Sequence, residues 1–454
     1  MIFKNEGGDE MRAQAMENLL SFLEASPTAF HAVENTVELL EKNGFVRLLE
    51  SESWNLEAGK GYFVTRNQSS IIAFRMPRKS ASSFMITASH TDSPTFKLKN
   101  EFEAPAFDRY VRLVVEPYGG SIFSTWIDRP LSVAGRVILE KDGNFLAKTV
   151  KIDRDLVLIP NLAIHMNREV NTGYKWNAAV DMLPLFSQNN QGNATLKSIL
   201  AQELNCEAEE IRGFDLFLYN RQKGSVWGAN EEFFSSPRID NLMCLYGTLQ
   251  GLLAATPTHS VNLLLSADNE ETGSATKQGA GSVFLSDTLS RICEALNADK
   301  RQMLASSMMI SADNGHAKHP NHPEMSDAKN APHLNGGVVI KSNAAQKYTT
   351  DGISCALFES ICKNAGVPVQ YYANRSDLPG GSTLGSISNT QVPLITVDIG
   401  MAQLAMHSSY ETAGCKDIEY LIRAMIEFYQ YELKAISDGS YQLLKNGKEG
   451  GRHE

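Results

Sequence analysis

The chain has 454 residues, of which 43% are hydrophobic and 21% charged, and its formal net charge is -10. This composition is typical of a soluble globular protein, and the acidic balance argues against nucleic acid or an anionic membrane surface as the main partner. The length predicts two domains, or one large domain that carries an insertion.

The N-terminal segment, the hydropathy of the chain and the cysteines indicate the cellular compartment. The N-terminal segment MIFKNEGGDEMRAQ is polar where a secretory signal would be apolar, and no later segment approaches the ~20 apolar residues of a membrane span. The six cysteines lie far apart without a CxxC pair, so neither a disulfide framework nor a thiolate zinc site is expected. These features predict a cytoplasmic protein.

The first ninety residues read as helices followed by strands. Ser26-Pro27 predicts a helix start, and apolar residues then recur at helical spacing until Gly44. Two strand-like runs follow, SIIAFRM and SSFMITAS, and the second leads directly to His90 and Asp92.

Residues 93–228 have a different texture, with short alternating runs such as YVRLVVEPYGGSIF, LSVAGRVILEKDGNFLAKTVKI and RDLVLIPNLAI. Gly119-Gly120 and Asp142-Gly143 interrupt these runs as hairpin signals. We therefore expect an all-β insertion over 93–228.

After Ser236-Pro237 the alternation of strands and helices resumes. VNLLLSA, MLASSMMISA, VPVQYYA and VPLITVDI are candidate strands, and DNLMCLYGTLQGLLAA is a candidate helix. This pattern predicts an α/β sheet with helices on both faces, formed by residues 1–92 and 229–454. The final KNGKEGGRHE reads as a polar tail.

Residues of the kinds that bind metals follow the apolar runs, where ligands bind in open α/β sheets. The candidates are His90 and Asp92, Asp240 at a helix start, Asp268, Glu270 and Glu271 in ADNEETGS, Asp313, and His407. One histidine after a strand is usually a surface or hydrogen-bonded residue, but the combination suits two divalent ions that share a carboxylate, with zinc, manganese or cobalt as occupants. Two such ions can hold an attacking hydroxide and polarise a carbonyl together.

Adjacent Glu270 and Glu271 repel each other unless a cation or a proton lies between them. Merely solvated acids at a strand end are the alternative. If a metal is present, one glutamate can ligate it while its neighbour takes the proton from the bound water.

Six segments in order, ASHTDSPTFKLK, SPRIDNL, ADNEETGS, SADNGHAKHPN, GGVVIK and DIGMAQLAMHSSYE, resemble those of the M18 aspartyl aminopeptidases, which are co-catalytic dinuclear zinc peptidases. With SPTAFHAVE near the start, the resemblance covers nearly the whole chain. It implies a zinc-peptidase-like mixed sheet flanked by helices, with an inserted β-rich dimerisation and lid domain at 93–228.

The resemblance also implies the roles of the site residues: His90 and Asp313 on one zinc ion, Glu271 and His407 on the other, Asp240 bridging them, Glu270 as general base and Asp92 orienting His90. Asp268 falls outside this set and is expected to accept hydrogen bonds from loop amides.

Substrate binding and assembly are implied in the same way. Members of the family are tetrahedral dodecamers built from dimers, in which a histidine of a neighbouring subunit completes the site. His165 in NLAIHMN matches this histidine and would donate a hydrogen bond to the oxyanion. The residues alone indicate a core histidine at this position. Lys341 would bind an acidic substrate side chain, although some relatives prefer neutral residues such as leucine.

Two segments depart from simple patterns. In NRSDLPGGSTLG, Ser376 replaces the usual asparagine, and Gly380-Gly381 are expected to bring backbone amides close to the substrate. His316, His319 and His322 lie three apart and suggest a third metal, but Pro320 and Pro323 break helical register, so a loop near the site is the better interpretation.

The predicted reaction is removal of N-terminal residues from short peptides, acidic ones preferred, by a water that bridges two metals and is deprotonated by Glu270. Two alternatives remain at this point. One is a dinuclear amidohydrolase or carboxypeptidase acting on N-acylated amino acids, and the other is an inactive assembly scaffold.

Overall fold

The structure, a computed structural model, describes residues 8–189 and 194–446, and only the backbone of residues 8–11. The predicted polar tail from residue 447 onwards and the first seven residues lie outside the described ranges. Within those ranges, no helix has the length and apolar character needed to cross a membrane.

The helices of the described ranges are α1 Gly8–Ala25, α2 Ala29–Lys42, α3 Ala178–Asp181, α4 Leu196–Leu204, α5 Ile239–Ala254, α6 Phe284–Leu296, α7 Lys300–Ala305, α8 Gly352–Ala365, α9 Leu384–Gln391 and α10 Asp417–Phe428. The strands are β1 Val46–Arg47, β2 Gly61–Arg66, β3 Ser70–Arg75, β4 Ser83–His90, β5 Thr95–Ala106, β6 Tyr110–Tyr118, β7 Leu131–Lys141, β8 Asn144–Lys151, β9 Leu185–Gln188, β10 Ile211–Asn220 and β11 Ser225–Trp227. They continue with β12 Phe233–Ser236, β13 Ser260–Ala267, β14 Met308–Ala312, β15 Gly315–His316, β16 Val338–Lys341, β17 Val369–Tyr372, β18 Ile395–Gly400, β19 Ala402–Leu404, β20 Glu411–Gly414, β21 Tyr431–Ser437 and β22 Ser440–Lys445.

A nine-stranded mixed sheet has the order β1-β2-β3-β13-β4-β14-β18-β16-β17. Its four neighbouring central strands, β13, β4, β14 and β18, run parallel to one another. Their carboxyl ends therefore meet at one edge of the sheet, where ligands bind in this class of fold.

Both faces of this sheet are covered by helices. Leu264 packs into a cluster that contains residues of α1, α2, α5, α8 and α10, whereas Leu263 and Leu265 pack into a second cluster with residues of α6 and α9. Every residue of β4 and β13 is buried, as expected for parallel strands covered on both sides. The predicted fold class is confirmed.

A six-stranded antiparallel sheet, β8-β7-β10-β5-β6-β9, is formed between Thr95 and Asn220 around its own apolar core. The region also contains α4, so the expectation of an all-β segment was wrong in this detail. In addition, β11 lies within the range 93–228 but pairs with β12 in a separate five-stranded sheet, so a boundary at residue 228 would divide that sheet. The division of the chain into domains stays a prediction.

Local predictions had mixed outcomes. Asp142-Gly143 joins β7 to β8 with φ of +52° and +76°, as a two-residue hairpin turn requires. Gly119-Gly120 does not form a hairpin but leaves β6 for a short 3-10 turn, Phe123–Trp126. The first helix signal was misplaced by two residues, since Thr28 caps α2.

The segment MLASSMMISA was only half correct as a strand. Its first residues end α7, and only Met308–Ala312 form β14.

Candidate metal centre

The central strands deliver the predicted site residues to one edge. His90 is the last residue of β4, Glu270 and Glu271 follow β13, and Asp313 follows β14. Asp240 lies at the start of α5, where its peptide bond to Asn241 is cis.

Three residues beside these side chains have a left-handed backbone, namely Arg238, Asn269 and His407, with φ of +60°, +61° and +68°. Such conformations are uncommon outside glycine and are retained where the surroundings impose them, often at functional sites.

Two histidines face three carboxylates across short gaps. His90 Nε2 lies 3.5 Å from Asp240 Oδ1 and 3.5 Å from Asp313 Oδ1. His407 Nε2 lies 3.4 Å from Glu271 Oε2 and 3.8 Å from Asp240 Oδ2. Asp240 thus directs one oxygen towards each histidine.

A cation fits these residues better than hydrogen bonds do. The gaps exceed the about 2.7–3.2 Å of ordinary N–H···O hydrogen bonds. Asp240 Oδ1 is buried and has no hydrogen-bond partner within residues 8–189 and 194–446. His90, Asp240 and Glu271 each offer one ligand atom, and these atoms lie within 4.8 Å of one another. A buried carboxylate oxygen without a partner is costly, so the geometry suits a bound divalent ion.

The electrostatics agree with that fit. Burial first, and then the charge of Asp240, raises the pKa of Glu271 well above its usual value. Burial would lower the pKa of His90, but its contacts with Asp240 and Asp313 outweigh burial and raise that pKa. Without a cation the cluster therefore tends to hold protons, which a divalent ion would displace.

Each histidine has its second ring nitrogen occupied. His90 Nδ1 lies 3.1 Å from the Asp92 carbonyl oxygen and 3.3 Å from Asp92 Oδ1. His407 Nδ1 donates to the Gly120 carbonyl oxygen at 3.2 Å. Both contacts use Nδ1 and leave Nε2 directed at the carboxylates, as in metal-binding histidines.

Asp92 also holds the loop that follows β13. Its two oxygens accept from the backbone N–H groups of Glu270 and Glu271, each at 3.2 Å. The Tyr118 hydroxyl donates to Asp92 Oδ2 at 2.8 Å. Asp92 therefore contacts the His90 ring and the backbone of both glutamates.

Glu411 was missed by the sequence reasoning. It is 1% exposed, and its carboxylate accepts from the backbone N–H groups of Asp240 and His407, each at 2.9 Å. It lies four residues after His407 in HSSYE, and that spacing was the signal that could have identified it.

The carboxylates of Glu270 and Asp268 behave differently. That of Glu270 makes no hydrogen bond or ion pair with any residue in the described ranges, and burial with the nearby acids raises its pKa to about 8 against the charge of His90. Asp268 Oδ1 accepts from the backbone N–H of Asn269 at 2.8 Å, which is a loop amide.

Lys341 is buried directly behind Asp313. Its Nζ donates to the Asn314 carbonyl oxygen at 3.0 Å and lies 3.9 Å from Asp313 Oδ2. Burial would raise the pKa of Asp313, but Lys341 and His90 hold it below its usual value. Lys341 therefore keeps a predicted ligand ionised.

Other predicted residues lie outside this cluster. His165 is exposed and makes no hydrogen bond or ion pair with the candidate ligands in the described structure. Gly380 and Gly381 lie in the loop between β17 and α9, where the Gly380 carbonyl oxygen accepts from Lys347 Nζ at 3.2 Å.

The three histidines at 316, 319 and 322 do not form one site. His316 belongs to β15 and pairs with Gln403, whereas His319 and His322 lie in the loop that follows; all three residues are exposed. His322 Nδ1 lies 3.1 Å from Glu324 Oε1.

A mixed sheet with His90, His407 and buried carboxylates gathered at the edge where its parallel strands end is the arrangement of a metal-dependent enzyme. The family model of the aminopeptidase I zinc metalloproteases (M18) matches residues 22–429. The chain belongs to this family of zinc aminopeptidases, which confirms the resemblance and the enzyme class.

Individual relatives agree over nearly the full length. A probable M18 family aminopeptidase 2 of Clostridium novyi is 45% identical, over 90% of this chain and 97% of the relative. A structure of the Ape4 and Nbr1 complex is 38% identical with a TM-score of 0.89, over 94% of this chain and 87% of that chain. The mApe1 dodecamer of S. cerevisiae is 26% identical with a TM-score of 0.82, over 92% and 97%.

Proposed function

We propose that the protein removes N-terminal residues, acidic ones preferentially, from short peptides with the help of two divalent ions, zinc in the first place and manganese or cobalt as alternatives. The observation that carries this proposal is the position of Asp240. One of its oxygens faces His90 and the other faces His407, and Oδ1 has no hydrogen-bond partner among the described residues.

The ligands divide into two pairs around Asp240. His90 and Asp313 would hold one ion, and Glu271 and His407 would hold the other. When bound, the ions would supply Lewis acidity that activates water and polarises the peptide carbonyl.

Glu270 would act as the general base. Its backbone N–H donates to Asp92 at 3.2 Å, whereas its carboxylate has no hydrogen bond to the described protein. It can therefore take the proton of the attacking water and return it to the leaving amine. Its neighbour Glu271 faces His407 instead, so the two adjacent glutamates have separate roles.

Lys341 is proposed as the residue that selects acidic side chains. It is 2% exposed and places a positive charge beside Asp313. One of its three N–H groups is used by Asn314, which leaves donors for a substrate carboxylate. The backbone amides of Gly380 and Gly381 are proposed to contact the substrate from the neighbouring loop.

We also propose a tetrahedral dodecamer built from dimers, in which His165 reaches the active site of a neighbouring subunit. His165 is exposed in a segment that also exposes Leu162, Ile164 and Met166, which suits a surface covered by another subunit. A structural relative is a dodecamer.

The cytoplasmic location is a further part of the proposal. The six cysteines are unpaired and four of them are buried, which suits a reducing compartment.

The deciding experiment is hydrolysis of matched Asp-, Glu-, Leu- and Lys-aminoacyl reporter peptides after chelation and after zinc, manganese or cobalt is added back. Metal-restored cleavage that favours Asp and Glu is the expected result. Restored cleavage that favours Leu would keep the metal-dependent reaction and remove the specificity role of Lys341.

N-acetylated versions of the same peptides are the matched control. An aminopeptidase leaves them intact, whereas an amidohydrolase or carboxypeptidase acting on N-acylated amino acids cleaves them. No cleavage of either set with any metal would support the inactive scaffold.

A further inference from the structure

The segment Tyr118-Gly119-Gly120, where β6 of the six-stranded sheet ends, lies against the candidate metal ligands. Tyr118 donates its hydroxyl hydrogen to Asp92 at 2.8 Å, and Gly120 accepts from His407 Nδ1 at 3.2 Å. We call these three residues the bridging segment, because they join the six-stranded sheet to the ligand-bearing edge of the nine-stranded sheet.

The two glycines are required by the closeness of this approach. Gly119 has φ of +70°, and a Cβ there would lie 3.0 Å from Glu271 Cβ. A Cβ on Gly120, whose φ lies outside the left-handed region, would lie 3.3 Å from His407 Nδ1. A side chain at either position would therefore displace one of two candidate ligands.

The contact continues along the chain. The backbone N–H of Ile122 donates to the His407 carbonyl oxygen at 3.0 Å, and that of Ser409 donates to Thr125 Oγ1 at 2.9 Å. Residues that follow β6 are thus hydrogen-bonded to the loop that carries His407 at two positions, His407 and Ser409.

We propose that the bridging segment is a positioning element for the ion held by Glu271 and His407, so that the six-stranded sheet sets the affinity of that ion within the same subunit. The inference rests on the function proposed above. It deepens that function, because it assigns control of one metal position to residues of a sheet that carries neither Glu271 nor His407.

The two histidines explain why one ion should be affected more than the other. The Nδ1 of His90 is held by Asp92, which follows the same strand. The Nδ1 of His407 is held by Gly120, from the other sheet. Adding a side chain in the bridging segment therefore changes the orientation of His407 directly. The contact between His90 and Asp92 stays in place. Groups that orient a metal-binding histidine contribute roughly 10–100-fold to metal affinity.

The test is a zinc titration of the assembled protein against a chromophoric chelator, without substrate, for two pairs of variants. Gly119→Ala is compared with Gly143→Ala, since Gly143 has φ of +76° in the same sheet but no atom of the described residues within 4 Å of an added Cβ. Gly120→Ala is compared with Gly213→Ala, where an added Cβ would meet Ile138 at an ordinary 3.6 Å.

We expect each bridging-segment variant to lose roughly tenfold or more in affinity for one zinc equivalent, and to keep the other equivalent unchanged. The two control variants should bind both equivalents as the unaltered protein does. If Gly119→Ala does not fold, Gly120→Ala decides the matter, because its backbone accepts alanine without strain.

Equal zinc affinities in the bridging-segment and control variants would overturn this inference while leaving the proposed function intact, provided that the unaltered protein binds two ions and cleaves peptides. An unaltered protein that binds no zinc would overturn both. The titration and the peptide assay are separate measurements, so the two failures are distinguishable.

Discussion

The nine-stranded and six-stranded sheets both reach the candidate metal centre, but they contribute different chemistry. The parallel centre of the larger sheet supplies ionisable side chains from its strand ends, such as His90 and Asp313. The antiparallel sheet supplies one phenol hydroxyl and backbone groups, through Tyr118 and Gly120. The candidate ligands are thus side chains at strand ends, whereas their orientation also depends on contacts from the six-stranded sheet.

The largest expected effect is on kcat, and it should distinguish Glu270 from Glu271, which both follow β13 of the larger sheet. Glu270→Gln should lower kcat by about 10²–10⁴-fold and retain metal, because it removes a proton acceptor without removing a contact of the cluster. Glu271→Gln should lower both kcat and metal content, since Glu271 faces His407 at 3.4 Å. Steady-state kinetics and metal analysis of the purified variants check this. Loss of metal from both variants to the same extent would contradict the division of roles.

A second substitution tests how far ligand orientation depends on the five-stranded sheet, in which Glu411 is the first residue of β20. Glu411→Gln retains only one carbonyl oxygen for two backbone donors, those of Asp240 and His407. We expect metal affinity to fall by roughly 10–100-fold, as for other groups that orient ligands. Chelator competition measures it.

Asp268→Asn is the matched control, since Asp268 is also buried at a strand end but contacts the Asn269 amide. Its metal affinity should remain that of the unaltered protein. An equal loss in both variants would show that any buried acid at this edge affects the ions, and would remove the specific role of Glu411.

The comparison also explains what the sequence could predict. β4, β13 and β14 are buried on both faces, so their sequences are apolar and the polar residues that follow them are conspicuous. That pattern was sufficient to single out His90, Glu271 and Asp313 and the class of fold.

Contacts between segments distant in sequence could not be read in the same way. Gly119-Gly120 has the composition of a turn. Its close approach to Glu271 and His407 depends on tertiary packing, since His407 lies 287 residues after Gly120 in the chain. Glu411 was not identified from the sequence, because one of its two backbone donors, that of Asp240, lies 171 residues away and leaves no local pattern.

The free energy of unfolding should depend on pH because of His31, which lies at the junction of the two sheets. This residue is buried on α2, with Nδ1 2.9 Å from Thr28 Oγ1. Burial, and then the charges of Lys151 and Arg238, lower the pKa of His31 from 6.5 to about 4. Because the folded pKa is depressed, this contribution to stability is complete above pH 6.5 and is lost as the pH falls towards 4. The loss should reach about 3 kcal/mol.

Denaturant unfolding of chelated protein at fixed concentration, at pH 7 and pH 4.5, checks this dependence. His31→Gln cannot titrate in that range and should show a smaller loss between the two pH values. The same loss in both proteins would assign the acid sensitivity to other groups.

The smallest expected effect concerns the hairpin turn of the six-stranded sheet. Gly143→Ala places a Cβ on a residue with φ of +76°, which costs about 1–2 kcal/mol of stability. In the part of the chain that the structure describes, no atom lies within 4 Å of that Cβ, so zinc affinity should not change. Denaturant unfolding and the zinc titration measure the two quantities on the same variant. If destabilising this distant turn lowered zinc affinity as much as Gly119→Ala does, the six-stranded sheet would act through its overall stability. If only Gly119→Ala lowers zinc affinity, the contact at Tyr118-Gly119-Gly120 is what links the six-stranded sheet to the metal.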